Sequence, residues 1–374
     1  TDGDMLKMRL VWFPTVEWGQ VKDQLTAHGV KYSTPTELLR TVDVKATREE
    51  LLKLAELEAV AMLTWVEPPK QLFNQLSAHL SGAAALNLST EKGGLGLTGK
   101  GVRVGIWDGN VKEHMDYGNR VHIQEAEYSL QNSGGHGMHT TGTIIGNGLL
   151  DEKHRGMAPE AEIWTWNFGE QSNGKSEAAE MLETYRKHHI SITSHSYGYS
   201  YEYFCDLPQY INYSFMGHSL SDLLAYYIPD MIHVYAAGND QGACKQQFGH
   251  ATQLAKNIIS VGGLNPDGRM STYSSFGPLP DGRIFPVVSA RGTNVYSTVN
   301  EHIYKSMKGT SMATPTVSGH LALLTQRWMQ LHGGAIPPNY LLKALVANTA
   351  DDAGNPGPDY KFGFGILNAR AALT

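Results

Sequence analysis

The stretch Gly309-Thr310-Ser311-Met312-Ala313-Thr314-Pro315, followed by Val317, Gly319, Ala322 and Leu323, constrains this chain more than any other. It reads as a loop turning into a helix at or near Ser311. The helix is apolar. Gly309 permits a tight approach, and Thr310 or Ser311 can cap. Pro315 is tolerated within the first turn, where amides lack intrahelical partners. A serine in that position is either an N-cap or a nucleophile beside free amides at a positive helix end. The choice between the two is made upstream.

Two further stretches hold what a nucleophilic serine requires. Val102-Arg103-Val104-Gly105-Ile106-Trp107-Asp108-Gly109 is a short β-prone run ending in Asp-Gly. It reads as a buried strand delivering a carboxylate at its C-terminal end, where open α/β sheets build their sites. Gly134-Gly135-His136-Gly137-Met138-His139-Thr140-Thr141-Gly142-Thr143 sets a histidine in a glycine-rich turn leading into a helix of small residues. Attack by serine needs a base that titrates near neutrality, and that base needs a carboxylate to fix its tautomer.

Together these motifs resemble those of the subtilisin-like serine proteases, the subtilases. The family runs Asp, His, Ser along the chain, so the order here is matched and not deduced. The resemblance implies Asp108 as orienting acid, His136 as general base and Ser311 as nucleophile. Ala236-Ala237-Gly238-Asn239 matches the family's oxyanion segment and implies Asn239 as the oxyanion donor. Ser196-Tyr197-Gly198 matches the segment whose backbone pairs with an extended peptide, and Ala237 and Gly238 join it as substrate-binding residues. One departure stands out: the family has Ser or Thr and then Gly after the acid, where this chain has Gly109 and Asn110. The resemblance covers about residues 76–374. It implies a serine endopeptidase of α/β class, with a mostly parallel sheet and helices on both faces. Two rival readings use the same fold: a catalytically silent binding or scaffold protein, and an esterase or peptide ligase with the same triad.

Before that region the pattern changes. Residues 5–13 read as a strand, 15–28 as a helix ending at Gly29, 30–33 and 39–45 as short strands. Thr47-Arg48-Glu49-Glu50 opens a second helix as a capping box, and Ala61-Met62-Leu63-Thr64-Trp65-Val66 is a last strand stopped by Pro68-Pro69. The order βαββαβ spells a small ferredoxin-like α+β domain. The expected division is therefore residues 1–75 and residues 76–374. By position the first part resembles the propeptide that precedes many subtilases. That implies an intramolecular inhibitor and folding helper for the second.

Composition excludes several classes. The net charge of −6 suggests no nucleic-acid partner, and no apolar run approaches the ~20 residues of a membrane span. Gly101-Val102-Arg103-Val104-Gly105 is not a dinucleotide fingerprint, because its glycines precede and interrupt the strand. Sixteen histidines carry no zinc-protease spacing; His139 and His195 read as packed structural residues. Calcium is frequent in subtilases, but no dense Asp/Asn cluster assigns a site here. Asp151, Glu152, Asp351 and Asp352 read as solvated loop charges. The aromatic run Tyr199 to Phe215 reads as packing of an inserted loop, or alternatively as subsite lining. Cys205 and Cys244 are the only cysteines, either two free thiols or one disulfide; a disulfide fits a secreted, periplasmic or cell-surface location. The opening Thr1-Asp2-Gly3-Asp4 has no initiating Met and no signal-peptide pattern, so a leader is expected to have been removed or the chain shortened. The partner expected is a protein or peptide substrate.

Overall fold

A computed structural model describes residues 5–65, 71–72, 86–87, 89–92, 94–125, 135–149, 154–168, 175–198, 218–241 and 253–373. Cys205, Cys244, Asp151, Glu152, Gly134, the Val66-Glu67-Pro68 junction and the aromatic run 199–215 lie outside the described residues.

The N-terminal unit follows the predicted order: β1 (Met5–Trp12), α1 (Trp18–Ala27), β2 (Lys31–Tyr32), β3 (Thr41–Thr47), α2 (Arg48–Ala55) and β4 (Val60–Trp65). Its four strands form an antiparallel sheet in the order β2-β3-β1-β4. Leu10, Val42, Val44 and Ala46 of the sheet pack against Val21 and Leu25 of α1 and Leu51 and Leu54 of α2. The Thr47–Glu50 capping box is present, each side chain accepting from the other residue's amide. Arg9, inside this sheet, bonds Asp43 at 2.7 Å, so the pair satisfies both of its charges locally.

The larger unit is built on a seven-stranded, wholly parallel sheet. Its strands are β6 (Arg103–Asp108), β7 (Val121–Ile123), β8 (Glu162–Asn167), β9 (Ile192–His195), β11 (Ile232–Ala236), β12 (Ile259–Leu264) and β13 (Val288–Arg291), ordered β7-β8-β6-β9-β11-β12-β13. The chain builds to one side of β6 through β7 and β8, then crosses to the other side from β9 onward. The switch point therefore lies between β6 and β9, and Asp108 is the last residue of β6.

Period-2 alternation decides which helices each side chain meets. Val104 and Ile106 face the layer holding α3 (His136–Ile145) and α6 (Thr310–Leu331). Trp107 faces the opposite layer, which holds α4 (Glu177–His188) and α5 (His218–Tyr227). Asp108 shares a face with Ile106, so its carboxylate meets α3. A hairpin of β14 (Val295–Val299) and β15 (Ile303–Met307) leads into α6, and α7 (Asn339–Asn348) follows it. Residues 361–373 form turns and isolated bridges, with no α-helix. Ile366 bridges to Asp351 and Ser289 there, and Gly363 and Gly365 stand at positive φ, breaking any helical run.

Candidate active site

Asp108 and His136 meet at the C-terminal edge of the sheet. His136 is the first residue of α3, entered through Gly135 at φ 79. A side chain at Gly135 would meet Val299, and one at Gly137 would strike the Gly109 carbonyl at 2.0 Å. The glycine-rich turn thus lets α3 start directly against the loop after Asp108. His136 Nδ1 lies 2.5 Å from Asp108 Oδ1, with both side chains fully buried. The Gly109 N–H donates to the same oxygen at 2.7 Å, and Thr140 Oγ1 donates to Oδ2 at 2.9 Å. Gly109, the departure from the family pattern, therefore still serves the carboxylate through its backbone. An ionised carboxylate can only accept, so with that partner His136 carries its proton on Nδ1 and keeps the Nε2 lone pair. Thr140 stands four residues after His136 on one face of α3. That spacing was legible, but nothing in sequence marks it as Asp108's partner.

Ser311 enters at the start of α6. The helix begins at Thr310 with Gly309 as N-cap and no side-chain cap, so the predicted capping role of Thr310 or Ser311 does not occur. Both hydroxyls are used across the site instead. Thr310 Oγ1 and N–H both donate to Asn239 Oδ1, at 3.0 and 2.9 Å. Because one of those donors is an amide, the Asn239 oxygen must face Thr310, and its NH2 is the end turned elsewhere. Ser311 Oγ donates to the Ser196 carbonyl at 2.9 Å, and Ser196 Oγ donates back to the Ser311 carbonyl at 2.8 Å.

That reciprocal pair explains Pro315. The expectation placed this proline within the first turn, yet it is the sixth residue of α6. It has no N–H to offer the carbonyl four residues earlier, which is that of Ser311. Ser196 fills the vacancy. The serine motif and the Ser196 segment are thereby tied together where the helix would otherwise carry an unsatisfied carbonyl.

Tyr197 and Gly198 form β10, the strand after Ser196, and it is already paired. It runs antiparallel to β5 (Gln71–Leu72), with Tyr197 opposite Leu72 and Gly198 opposite Gln71. Ala237 donates its N–H to the Val261 carbonyl, and Gly238 donates to Thr310 Oγ1 and accepts from the Ser275 N–H. Their amides are committed to the scaffold, so neither N–H is available as a donor to a ligand. Gly238 stands at φ 113, a conformation that favours glycine.

His139 proves structural, as expected. It is fully buried, its Nε2 faces the Val295 and Lys305 carbonyls at 3.1 Å, and burial foremost pushes its pKa down to about 3. His195 is likewise buried, stacked between Trp107 and Tyr235. Asp351 and Asp352 accept local bonds from Asn368 and Gly357 at the surface. Among the described residues no three His, Cys, Asp or Glu side chains converge as metal ligands, and no helix is long and apolar enough to cross a membrane. No calcium site is assigned.

A profile of the subtilase family matches residues 99–365. The chain is similar to subtilisin BL of Lederbergia lenta, 30% identical over 288 residues, covering 74% of this chain and 92% of the relative. It is equally similar to M-protease of Shouchella clausii, 30% identical over 288 residues, but spans only 65% of that protein. Among solved structures, fervidolysin from Fervidobacterium pennivorans, described as a keratinolytic enzyme related to subtilisin, superposes with a TM-score of 0.71 at 20% identity. That superposition covers 100% of this chain and 62% of fervidolysin.

Proposed function

The chain belongs to the subtilase family of serine endopeptidases, and from that premise we propose that it hydrolyses peptide bonds through Asp108, His136 and Ser311, with Asn239 as oxyanion donor. The observation that carries this reading is the fully buried 2.5 Å contact between His136 Nδ1 and Asp108, at the switch point of the sheet. Ser311 turns from the Ser196 carbonyl toward His136 Nε2, and its oxygen attacks the peptide carbonyl as its proton passes to the imidazole. Asp108 stabilises the imidazolium. The Ser311 N–H and the Asn239 NH2 receive the oxyanion, and His136 returns the proton to the leaving amine. Water then releases the acyl group by the same steps in reverse. The peptide lies as an extended strand against Tyr197–Gly198, with Ala237 and Gly238 walling the cleft.

Ser311→Ala tests the assignment on a peptidyl anilide. Turnover should vanish while the circular-dichroism spectrum and melting temperature stay those of the parent. Wild-type turnover in the variant would overturn it. Labelling by a fluorophosphonate separates this reading from a silent scaffold, and comparing peptides with esters separates it from an esterase or ligase.

The proposal extends to residues 1–75 as an intramolecular inhibitor of residues 76–374. Three contacts support it. Gln71–Leu72 occupies the strand position that a peptide would take on Tyr197–Gly198. Leu39 is buried within the apolar cluster of Trp107, Phe168, Tyr197 and the inner faces of α4 and α5. Thr36 Oγ1 bonds Ser176 Oγ, the N-cap of α4, at 3.1 Å. Such a sheet forms many non-local pairings, which are slow to nucleate, so the same docking would assist folding. Adding residues 1–75 in trans should inhibit the separately produced 76–374 and raise its refolding yield. If the core folds equally well alone and keeps its rate in their presence, this extension is lost. The working enzyme is further proposed to act in an exported compartment, on the strength of the Cys205 and Cys244 pair. Two alkylatable thiols in the native, unreduced protein would remove that support.

A further inference from the structure

Acids in the first turn of a helix ordinarily stand in water and complement the helix dipole. The first turn of α4 carries Glu177 and Glu180, and both are turned inward instead. Glu180 is 2% exposed, and its Oε2 accepts from Trp107 Nε1 at 2.9 Å. Its carboxyl is also hydrogen-bonded to that of Glu125, which is 8% exposed and accepts the Asn167 N–H at 2.9 Å. Burial foremost pushes the Glu125 pKa up. Trp107 immediately precedes Asp108, and Asn167 is Asp108's neighbour in the β6–β8 register. Glu180 thus grips both strands at the point where the orienting carboxylate emerges.

Glu177, three residues earlier on the same helix face, accepts from Tyr197 Oη at 2.6 Å. With that proton committed, the Tyr197 oxygen must accept from His195 Nδ1 at 2.7 Å, which leaves His195 Nε2 as an acceptor for Thr193 Oγ1 at 2.9 Å. Thr193 Oγ1 in turn accepts from His233 Nδ1 at 2.7 Å. One carboxylate therefore sets the direction of every bond in a buried chain from β10 to β11.

We propose that the first turn of α4 is a positioning element with two separable duties: Glu180, through Trp107 and Glu125, holds Asp108 for the chemical step, and Glu177, through Tyr197, holds the strand that pairs with the peptide. This rests on the assignment of Asp108, His136 and Ser311 proposed above. Loss of an interaction felt mainly in the transition state lowers kcat, whereas loss of uniform binding raises KM. The two duties therefore split between the two constants.

Steady-state kinetics of the full chain on a peptidyl anilide provide the test. Tyr197→Phe, which deletes only the hydroxyl, raises KM roughly tenfold and leaves kcat within about twofold. Glu180→Ala lowers kcat roughly tenfold and leaves KM within about twofold. Glu180→Gln restores kcat, because its carbonyl still accepts from Trp107 and its NH2 can donate to Glu125. Should Glu180→Ala fail to fold, Trp107→Phe removes the same bond and carries the same expectation. Variants that keep both constants and lose only melting temperature would overturn the proposal, as would kcat and KM moving together in both. Ser311→Ala measured alongside keeps the failures apart. An active Ser311→Ala removes the catalytic reading itself, whereas a dead one beside unaffected α4 variants removes this inference alone.

Discussion

Asn239 illustrates how a single side chain acquires a role from its neighbours. Thr310 occupies its oxygen twice, so the amide cannot rotate without losing both bonds. In the proposed reaction that preorganisation costs nothing at the moment charge develops. Asn239→Ala should lower turnover roughly 10²–10³-fold with little change in KM, a magnitude established on subtilisin's own oxyanion asparagine and not obtained from this chain. Thr310→Val, which keeps the amide bond and removes the hydroxyl bond, should give a smaller loss in the same direction. Equal turnover in Asn239→Ala and the parent would remove the asparagine from the mechanism. At the same scale, activity should fall on the acid side as His136 takes up a proton and ceases to be a base. A rate flat from about pH 5 to 9 would count against it.

The helices that carry His136 and Ser311, α3 and α6, each pack against their surroundings through glycine. Gly142 of α3 sits against the β14–β15 hairpin, where an added Cβ would meet Thr298 Oγ1 at 2.0 Å and Ser297 Oγ at 2.6 Å. Thr298 cannot yield, since its hydroxyl donates to the Met138 carbonyl and pairs with Tyr117 Oη. Gly142→Ala should therefore push α3 off the hairpin and destabilise the fold by ~1–3 kcal/mol, the range for overpacking in a tight core. Denaturant melts read this directly, and a midpoint equal to the parent's would mean the helix moves without cost. Gly319 of α6 has a similar place, its added Cβ meeting Met157 at 2.6 Å. An alanine at either position would favour an isolated helix by about 1 kcal/mol, so a loss of stability would show packing outweighing propensity.

Acid sensitivity belongs to the whole molecule. His139 on α3, His233 on β11 and His320 on α6 are fully buried, and burial lowers their pKa to about 3, about 4 and about 4. In the unfolded chain each titrates near 6.5. The folded values are depressed, so the native state keeps these rings neutral where the unfolded state would protonate them. The stability concerned is complete above about pH 6.5 and is lost as pH falls toward the folded values. Three such groups give a slope of up to ~4 kcal/mol per pH unit between about pH 6 and 4. Urea midpoints at pH 7, 6 and 5 should drop steeply; a flat series would show that the rings find solvent in the folded state. The predicted loss is in stability, so it can be told from the loss of activity at His136 by melting the Ser311→Ala variant at each pH.

Local pattern by itself marked the strand that ends at Asp108 and the helices that begin near His136 and Ser311, while their roles were implied by the resemblance to the family. The run Val104 to Asp108 reads as a buried strand, and alternation alone puts Asp108 on the face of Ile106 and opposite Trp107. The βαββαβ run and the Thr47–Glu50 capping box were equally legible, because capping and periodicity operate within a few residues. Only the tertiary structure decided what those groups touch. Ser196 answers the carbonyl that Pro315 leaves bare 115 residues away in sequence. Gln71–Leu72 pairs with Tyr197–Gly198, far away in sequence. Glu177 and Glu180 look like solvated first-turn acids until Tyr197, Trp107 and Glu125 close over them. The physical reason is common to all three. A polar group's cost of burial is set by whether a partner arrives from elsewhere in the chain, and no periodicity at its own position records that arrival.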